Sequence, residues 1–217
     1  HGVCMQYHNC RLQFCDDDSS NVDLPAYSVG VRSVADIQAV LAFAALHDIS
    51  VTVKTSGHSY SGSSTAAGSI LIWMRQFDGN TPAVQENYTD SCGTVYDNVA
   101  YAGGGNNWGE LYSHVAGNFT LVGGGAMTVS AIGGWLMGGG LSALSRRHGF
   151  GVDNVVDFEI VLPNGTVTNA DACHNSDLFW ALRGGGGGAF GVVTGARYKL
   201  HEVQPIRYFG LEIAYED

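Results

Sequence analysis

An α+β fold is what three observations on this 217-residue chain predict. Val51 to Lys54 (VTVK) alternates apolar and polar residues as a strand does, and it runs straight into a glycine and serine loop, TSGHSYSGSST, at 55–65. Ser33-Val34-Ala35-Asp36 has the form of a capping box, and Val34, Ile37, Val40, Leu41, Ala44 and Ala45 follow at helical spacing. Asp177 to Leu182 (DLFWAL) joins a short helical pattern to five consecutive glycines and then to a strand, VVTGARYKL.

In chain order, residues 1–24 form a Cys-bearing, Asp/Ser-rich lead without periodicity. The first helix ends near His47 and a strand runs from Ile49 to Lys54, so Val29 to Lys54 reads as a strand, helix, strand unit feeding the loop. A second helix is predicted from Trp108 to Val115. Phe158 to Leu162 and Val167 to Thr168 flank Pro163-Asn164-Gly165 as a hairpin with a tight turn. No internal repeat is evident.

One core is enough for a chain of this length. Ten basic against 20 acidic residues give a net charge of −10, which argues against nucleic acid, because phosphate binding needs a basic patch. No run of 18 apolar residues is present, so no membrane span is expected. Asn87-Tyr88-Thr89, Asn118-Phe119-Thr120 and Asn164-Gly165-Thr166 are glycosylation sequons. With Cys4, Cys10 and Cys15 clustered in a lead without an initiator Met, they predict a mature secreted glycoprotein, Asn87, Asn118 and Asn164 exposed, and at least one disulfide from the leading cysteines. Five cysteines cannot all pair internally, and Cys92 and Cys173 are the separated candidates for a free or interchain thiol.

The 31 glycines are about twice the usual share of roughly 7%. They are threaded with Trp135, Met137, Phe179, Trp180 and Phe190, which excludes flexible linkers. Small residues at Ser56, Gly57, Ser59, Ser61 and Gly62 let consecutive N–H groups converge as a pyrophosphate nest around His58. Glycines at 123–125, 133, 134 and 138–140 predict backbone passing close to something flat and bulky, or to other backbone. His47, His114, His148 and His201 lack metal-ligand spacing, so no metal is expected. Arg146-Arg147 reads as a solvated pair at a helix end, and Trp73, Trp108, Trp135 and Trp180 as core. The glycine runs also lack a GxGxxG fingerprint with its acidic partner.

VKTSGHSYSG at 53–62, IWMRQFDG at 72–79, GGGNNWGELY at 103–112, the stretch from Gly133 to Thr166 and the stretch from Asp177 to Val203 occur in an order and spacing that resemble one family. Over Pro25 to about Val203 the chain resembles the FAD-binding domain of the vanillyl-alcohol-oxidase superfamily (p-cresol-methylhydroxylase, or PCMH, type), in its berberine-bridge-enzyme-like, FAD-linked oxidase branch. The resemblance implies a PCMH-type fold in which two α/β subdomains cradle FAD, as the N-terminal portion of a two-domain enzyme. Residues 25–205 would be the FAD domain and 206–217 the start of a substrate domain otherwise absent from this chain.

Cofactor-binding positions follow by the same resemblance. Ser56, Gly57, Ser59, Tyr60 and Ser61 would form the cradle, and Gly125, Met127, Thr128, Gly133, Gly134 and Gly138 would lie along the ring and pyrophosphate. Gly191 and Val193 would bring a strand beneath the cofactor. His58 holds the position that family members attach to the 8α-methyl carbon of FAD. The second, cysteinyl link of some members falls on Ala126 or Met127, and no Cys lies between 93 and 172, so a single link is implied. The implied activity is a secreted oxidase taking a hydride from an alcohol, sugar or secondary metabolite and reducing O₂, with its catalytic base in the absent part and hence unknown. The other readings are a dehydrogenase with another acceptor and an inactive flavin-fold subunit, the latter suggested by Ser130 and Ala131 where glycine is commoner. A small-molecule substrate is implied, and two readings account for the missing half: a second polypeptide, the C-terminal product of the same precursor sharing a disulfide through the odd cysteine, or a sequence that is a fragment of a longer chain.

Overall fold

The computed structural model describes residues 24–79, 81–203 and 205. Cys4, Cys10, Cys15 and residues 206–217 lie outside them. The first unit comprises β1 (Tyr27–Gly30), α1 (Val34–Leu46), β2 (Val51–Lys54) and β3 (Ile70–Trp73), the strands forming a parallel sheet in the order β1-β3-β2. The capping box is present: Asp36 N–H donates to Ser33 Oγ at 3.3 Å and the Asp36 carboxylate accepts from Ser33 N–H at 3.0 Å. A cap of this kind contributes about 1 kcal/mol to a helix start. Helix α1 buries Ile37, Val40 and Ala44 against the sheet, while Ala45, predicted on that face, is exposed. Ile49 N–H bonds the Ala44 carbonyl at 2.9 Å and so belongs to the helix exit. Strand β2 therefore begins two residues later than its alternation suggests.

Parallel strands need a long crossover. Between β2 and β3 that crossover is the Gly/Ser loop itself, and it leaves from the C-terminal edge of the sheet, the edge where parallel sheets bind ligands.

The second unit contains β4 (Ala83–Thr89), β5 (Val95–Gly103), α2 (Trp108–Val115), α3 (Gly134–Met137), α4 (Ser145–His148), β6 (Val155–Val161), β7 (Val167–Asp171), α5 (Ser176–Leu182) and β8 (Val192–Lys199). Its antiparallel sheet has the order β4-β5-β8-β6-β7. Helix α2 starts and ends where the sequence predicts, because Asn107 and Glu110 complete a second capping box. The β6–β7 hairpin closes through Gly165 N–H to the Leu162 carbonyl at 2.8 Å, the predicted tight turn. One face of the sheet buries Trp108, Leu111, Leu136, Phe158, Ile160, Leu182 and Tyr198 in a common core. Each such side chain stabilises the fold by roughly 1.5–3 kcal/mol. Val161 and Val192 turn the other way and pack with Ile37, Ile72 and Val31, which joins the two units.

Near the opposite face, Arg197 lies between the rings of Tyr88 and Tyr101, 4.9 and 5.1 Å from their centroids. It pairs with Asp157 at 2.8 Å and Glu159 at 3.0 Å and donates to Gln85 at 2.8 Å. Tyr88 on edge strand β4 reaches across to donate to Asp157 on β6. The sheet thus curls until its two edge regions meet. Cys92, in the β4–β5 turn, is bonded to Cys173, just past β7, with Cα atoms 5.2 Å apart. The expectation that these two cysteines are free or interchain is therefore corrected: they pair with each other because the curl brings the turn and the loop together. The odd cysteine falls among Cys4, Cys10 and Cys15. Asn87, Asn118 and Asn164 are all exposed.

The tryptophan expectation holds only in part. Trp108 is fully buried, Trp73 and Trp135 are half-buried, and Trp180 is 75% exposed on the outer side of α5.

Candidate cofactor site

A cavity of about 520 Å³ opens between the two units. The first unit contributes Val53 and the crossover loop, and the second contributes residues 126–137 and the glycine pair Gly187-Gly188. Its size lies within the range of small-molecule sites.

The loop is shaped by its own hydroxyls. Gly57 and Gly62 have φ of 82° and 75°, left-handed conformations that only glycine adopts readily, and they set the turn. Between them Ser59 Oγ accepts from Ser63 N–H at 3.1 Å and lies 2.8 Å from Ser63 Oγ. Ser56 Oγ accepts from Ser130 N–H at 3.0 Å, tying the loop to the second unit. His58 bridges the same seam, with Nδ1 3.1 Å from Ser56 Oγ and Nε2 3.1 Å from Thr128 Oγ1. The first turn of α2 positions the partner segment, since Trp108 and Gly109 N–H groups donate to the Val129 and Met127 carbonyls at 2.9 and 2.8 Å.

Of the predicted site residues, Ser56, Gly57, His58, Ser59, Tyr60, Gly133 and Gly134 line the cavity. Thr128 touches His58 from beside it. The others are not among the lining residues: Ser61 hydrogen-bonds Ser59, Gly125 and Met127 are exposed, and Gly138 ends α3. Gly191 sits where a Cβ would meet the Val161 carbonyl, and Val193 is buried opposite Ile160 in the sheet.

The glycine stretch therefore divides. A Cβ on Gly124 would come 2.8 Å from Trp108 Nε1, and one on Gly140 or Gly151 would come within 2.9 or 2.7 Å of the Trp135 ring. The flat, bulky group these glycines accommodate is the chain's own indole. Gly134, by contrast, has nothing within 4 Å of its Cβ position, so here the missing side chain leaves open space, whereas a Cβ on Gly187 would come 3.2 Å from the Gly134 Cα. Gly186 N–H to the Met137 carbonyl, 2.9 Å, brings the five-glycine run against α3. Trp135, Met137, Val129, Ser63, Ser64, Gly187 and Gly188 are lining residues that the sequence reading does not assign. The run 184–188 carries a signal in its composition, but the resemblance points to Gly191 and Val193 in its place.

Among the lining residues none is Asp, Glu, Lys or Arg. Hydroxyls of Thr55, Ser56, Ser59, Ser63, Ser64 and Ser130 line the cavity together with the apolar side chains of Val53, Val129, Trp135 and Met137. This donor set fits a ligand with an apolar planar ring and a diphosphate met by N–H and O–H dipoles. Ser130, the departure from glycine, is accommodated: its N–H holds Ser56 and its Oγ accepts from Ile132 N–H at 3.3 Å. No group of three or more His, Cys, Asp or Glu suited to a metal occurs among the described residues, and no helix there is long and apolar enough to cross a membrane.

Comparisons with known proteins agree with this geometry. The family model described as "FAD binding domain" matches residues 25–171. The FAD-linked oxidoreductase ffsJ of Aspergillus flavipes is 41% identical over 185 residues, 84% of this chain and 30% of that protein. The VAO-type flavoprotein MtVAO615 of Myceliophthora thermophila C1 superposes with a TM-score of 0.77 at 37% identity, over 83% of this chain and 32% of its own. BBE-like #28 of Arabidopsis thaliana gives 0.71 at 28% identity, covering 85% of this chain and 36% of its own. A glucooligosaccharide oxidase of Acremonium strictum, whose structure is described as revealing a novel flavinylation, gives 0.64 at 31% identity over 82% and 35%. The chain thus spans about a third of the length of these proteins.

Proposed function

We propose a function from an established premise: this chain belongs to the FAD-binding domain family of the vanillyl-alcohol-oxidase type, with neighbours in its berberine-bridge-like branch. It is the cofactor-holding part of a secreted FAD-linked oxidase that takes a hydride from an alcohol, sugar or secondary metabolite and passes electrons to O₂. The oxidoreductase name of the fungal relative and the oxidase name of the Acremonium neighbour support this reading. The catalytic base and substrate contacts lie in the part of the related proteins' length that residues 1–217 do not span. The exposed Asn87, Asn118 and Asn164 support passage through the secretory pathway.

Bound FAD supplies the two-electron acceptor. The chain's own residues bind and orient it. Ser56, Ser59 and Ser63, with the backbone of Gly57 and its neighbours on the loop, would hold the diphosphate, and Val129, Trp135 and Met137 would exclude water from the cavity. His58 would carry the single covalent link to the 8α carbon. The observation that carries this is His58 itself, held by hydroxyls on both ring nitrogens at the wall of an uncharged, glycine-backed cavity. Imidazole is a nucleophile in its neutral form. Acid-denatured protein is expected to keep its yellow colour, and His58→Ala is expected to release the flavin on denaturation. Flavin washing out of the denatured wild type would refute the covalent link.

A further inference from the structure

Two histidines outside the cavity meet in space although they stand far apart in the sequence. His148 ends α4 and His201 lies just past β8, and their rings meet in a tilted pair with centroids 4.1 Å apart at 32°. Asn154, 1% exposed, sits beside them. Its Nδ2 donates to the His148 and Phe150 carbonyls at 3.0 and 2.8 Å, so its Oδ1 faces His201 Nε2 at 2.7 Å and accepts from it. This assigns the His201 proton to Nε2 and leaves Nδ1 as the site where a second proton would add. Main-chain bonds between Thr120 and His201, 2.8 and 2.9 Å, fix the position of the strand end.

The same stretch reaches the cavity. Gly151 N–H donates to the Gly140 carbonyl at 2.7 Å and Val152 N–H to that of Gly139 at 3.2 Å. Gly140 and Gly151 are the two glycines packed on the Trp135 ring, and Trp135 Nε1 donates to the Leu141 carbonyl at 3.1 Å. Trp135 lines the cavity. A continuous path of contacts thus runs from the histidine pair through residues 149–154 to the cavity wall.

We propose that His148, Asn154 and His201 form an acid-sensitive clasp that holds residues 139–154 against the end of β8 and so sets the position of Trp135 in the cavity wall. Charging both rings places like charges 4.1 Å apart at a half-buried seam. Lys199 on β8 adds to the repulsion on His201, while its Nζ donates to the Asp153 carbonyl at 3.2 Å, and Arg146 and Arg147 precede His148 on α4. Asp97 on β5 and Glu202 line the neighbouring groove, and Asp153 follows in the clasped segment. These acids do not offset the rest: burial first, then His148 and Lys199, holds His201 below the ordinary histidine range. A base with a lowered folded pKa contributes stability that is full above the unfolded value and is lost as pH falls below it. The clasp therefore holds at neutral pH and slackens through the acid range.

Hydrogen exchange read by mass spectrometry at about pH 7.5 and about pH 5, with labelling times corrected for intrinsic rates, tests this without flavin. Peptides covering 134–154 and His201 are expected to exchange faster at acid pH, by up to about tenfold, while α1 does not change. His148→Phe keeps a ring and removes its charge, and His201→Gln keeps a donor to Asn154. Both are expected to abolish the acid-dependent increment. Equal protection at the two pH values in the wild type, or an increment that survives in both variants, overturns the clasp. An increment confined to 145–154 that leaves peptides over Trp135 unmoved overturns its link to the wall.

Discussion

Gly124→Ala separates two roles for the glycine stretch. An added Cβ would lie 2.8 Å from Trp108 Nε1, 3.0 Å from Cδ1 and 3.4 Å from Trp135 Cε2. Ordinary contact begins at about 3.5 Å, so the first two atoms overlap by roughly half an ångström or more. Neither can give: Trp108 is fully buried and stacked edge-on to Trp135, with centroids 4.9 Å apart. Overpacking of this kind costs about 1–3 kcal/mol. For a domain of this size each kcal/mol lowers Tm by about 2–4 °C, so a fall of about 2–12 °C is expected. The neighbouring Gly125 has nothing within 4 Å of its Cβ position and is exposed, so Gly125→Ala should leave Tm within about 1 °C. Thermal unfolding followed by near-UV dichroism, on protein stripped of any non-covalent flavin, reads both. If Gly124→Ala matches the wild type there and loses only flavin binding, the glycine serves the cofactor and the assignment to Trp108 is wrong.

Three other perturbations have definite outcomes. Opening Cys92–Cys173, by reductant or by Ser at both positions, frees a loop of 81-residue separation and should cost up to about 4 kcal/mol, read as a lower urea midpoint. Arg197→Met leaves Asp157, whose side chain is 2% exposed, without its guanidinium, and should destabilise by about 3–5 kcal/mol, with Arg197→Lys recovering part of it. For Asp171, burial opposes the charge but is outweighed by hydrogen bonds from the Ser91 hydroxyl and from the Cys173, His174 and Ser91 N–H groups, which hold it below the ordinary aspartate range. Its stabilisation is present above the unfolded value and is lost as pH falls through the lower folded one, so Asp171→Asn should flatten the stability curve below about pH 4, and an unchanged acid limb would count against this.

Where the sequence was legible, the determinant was local. The Ser33–Asp36 capping box names helix α1 because residues within one turn close the hydrogen bonds, and helix α2 was readable to its last residue. Edge strand β4, by contrast, reads AVQENYT, with polar residues that look like a loop until Arg197 collects Gln85 and Tyr88 from across the sheet. The Cys92–Cys173 pair was invisible for the same reason, since it depends on the curl of a sheet whose strand order is not the chain order. In the site, the crossover loop is found through its composition, whereas Trp135 reads as core because one ring face does pack on glycines inside. Sequence spacing does not say which face of an indole is covered.

The division of labour among the glycines bears on how an acidic chain accepts a dianionic group. With a net charge of −10 the protein repels diphosphate at long range, and no Lys or Arg lines the cavity to offset this. Attraction must come from oriented N–H and O–H dipoles, whose effect falls off within a few ångströms and depends on direction. Such a site works only if the loop is held in place before the ligand arrives. That is what the seam provides: Ser130 N–H fixes Ser56, the first turn of α2 fixes residues 127–129, and the Trp108 and Trp135 indoles, seated on Gly124, Gly140 and Gly151, fix the wall behind them. A side chain at any of those glycines would disturb the cavity by shifting its supports, and it would do so from a position outside the cavity lining.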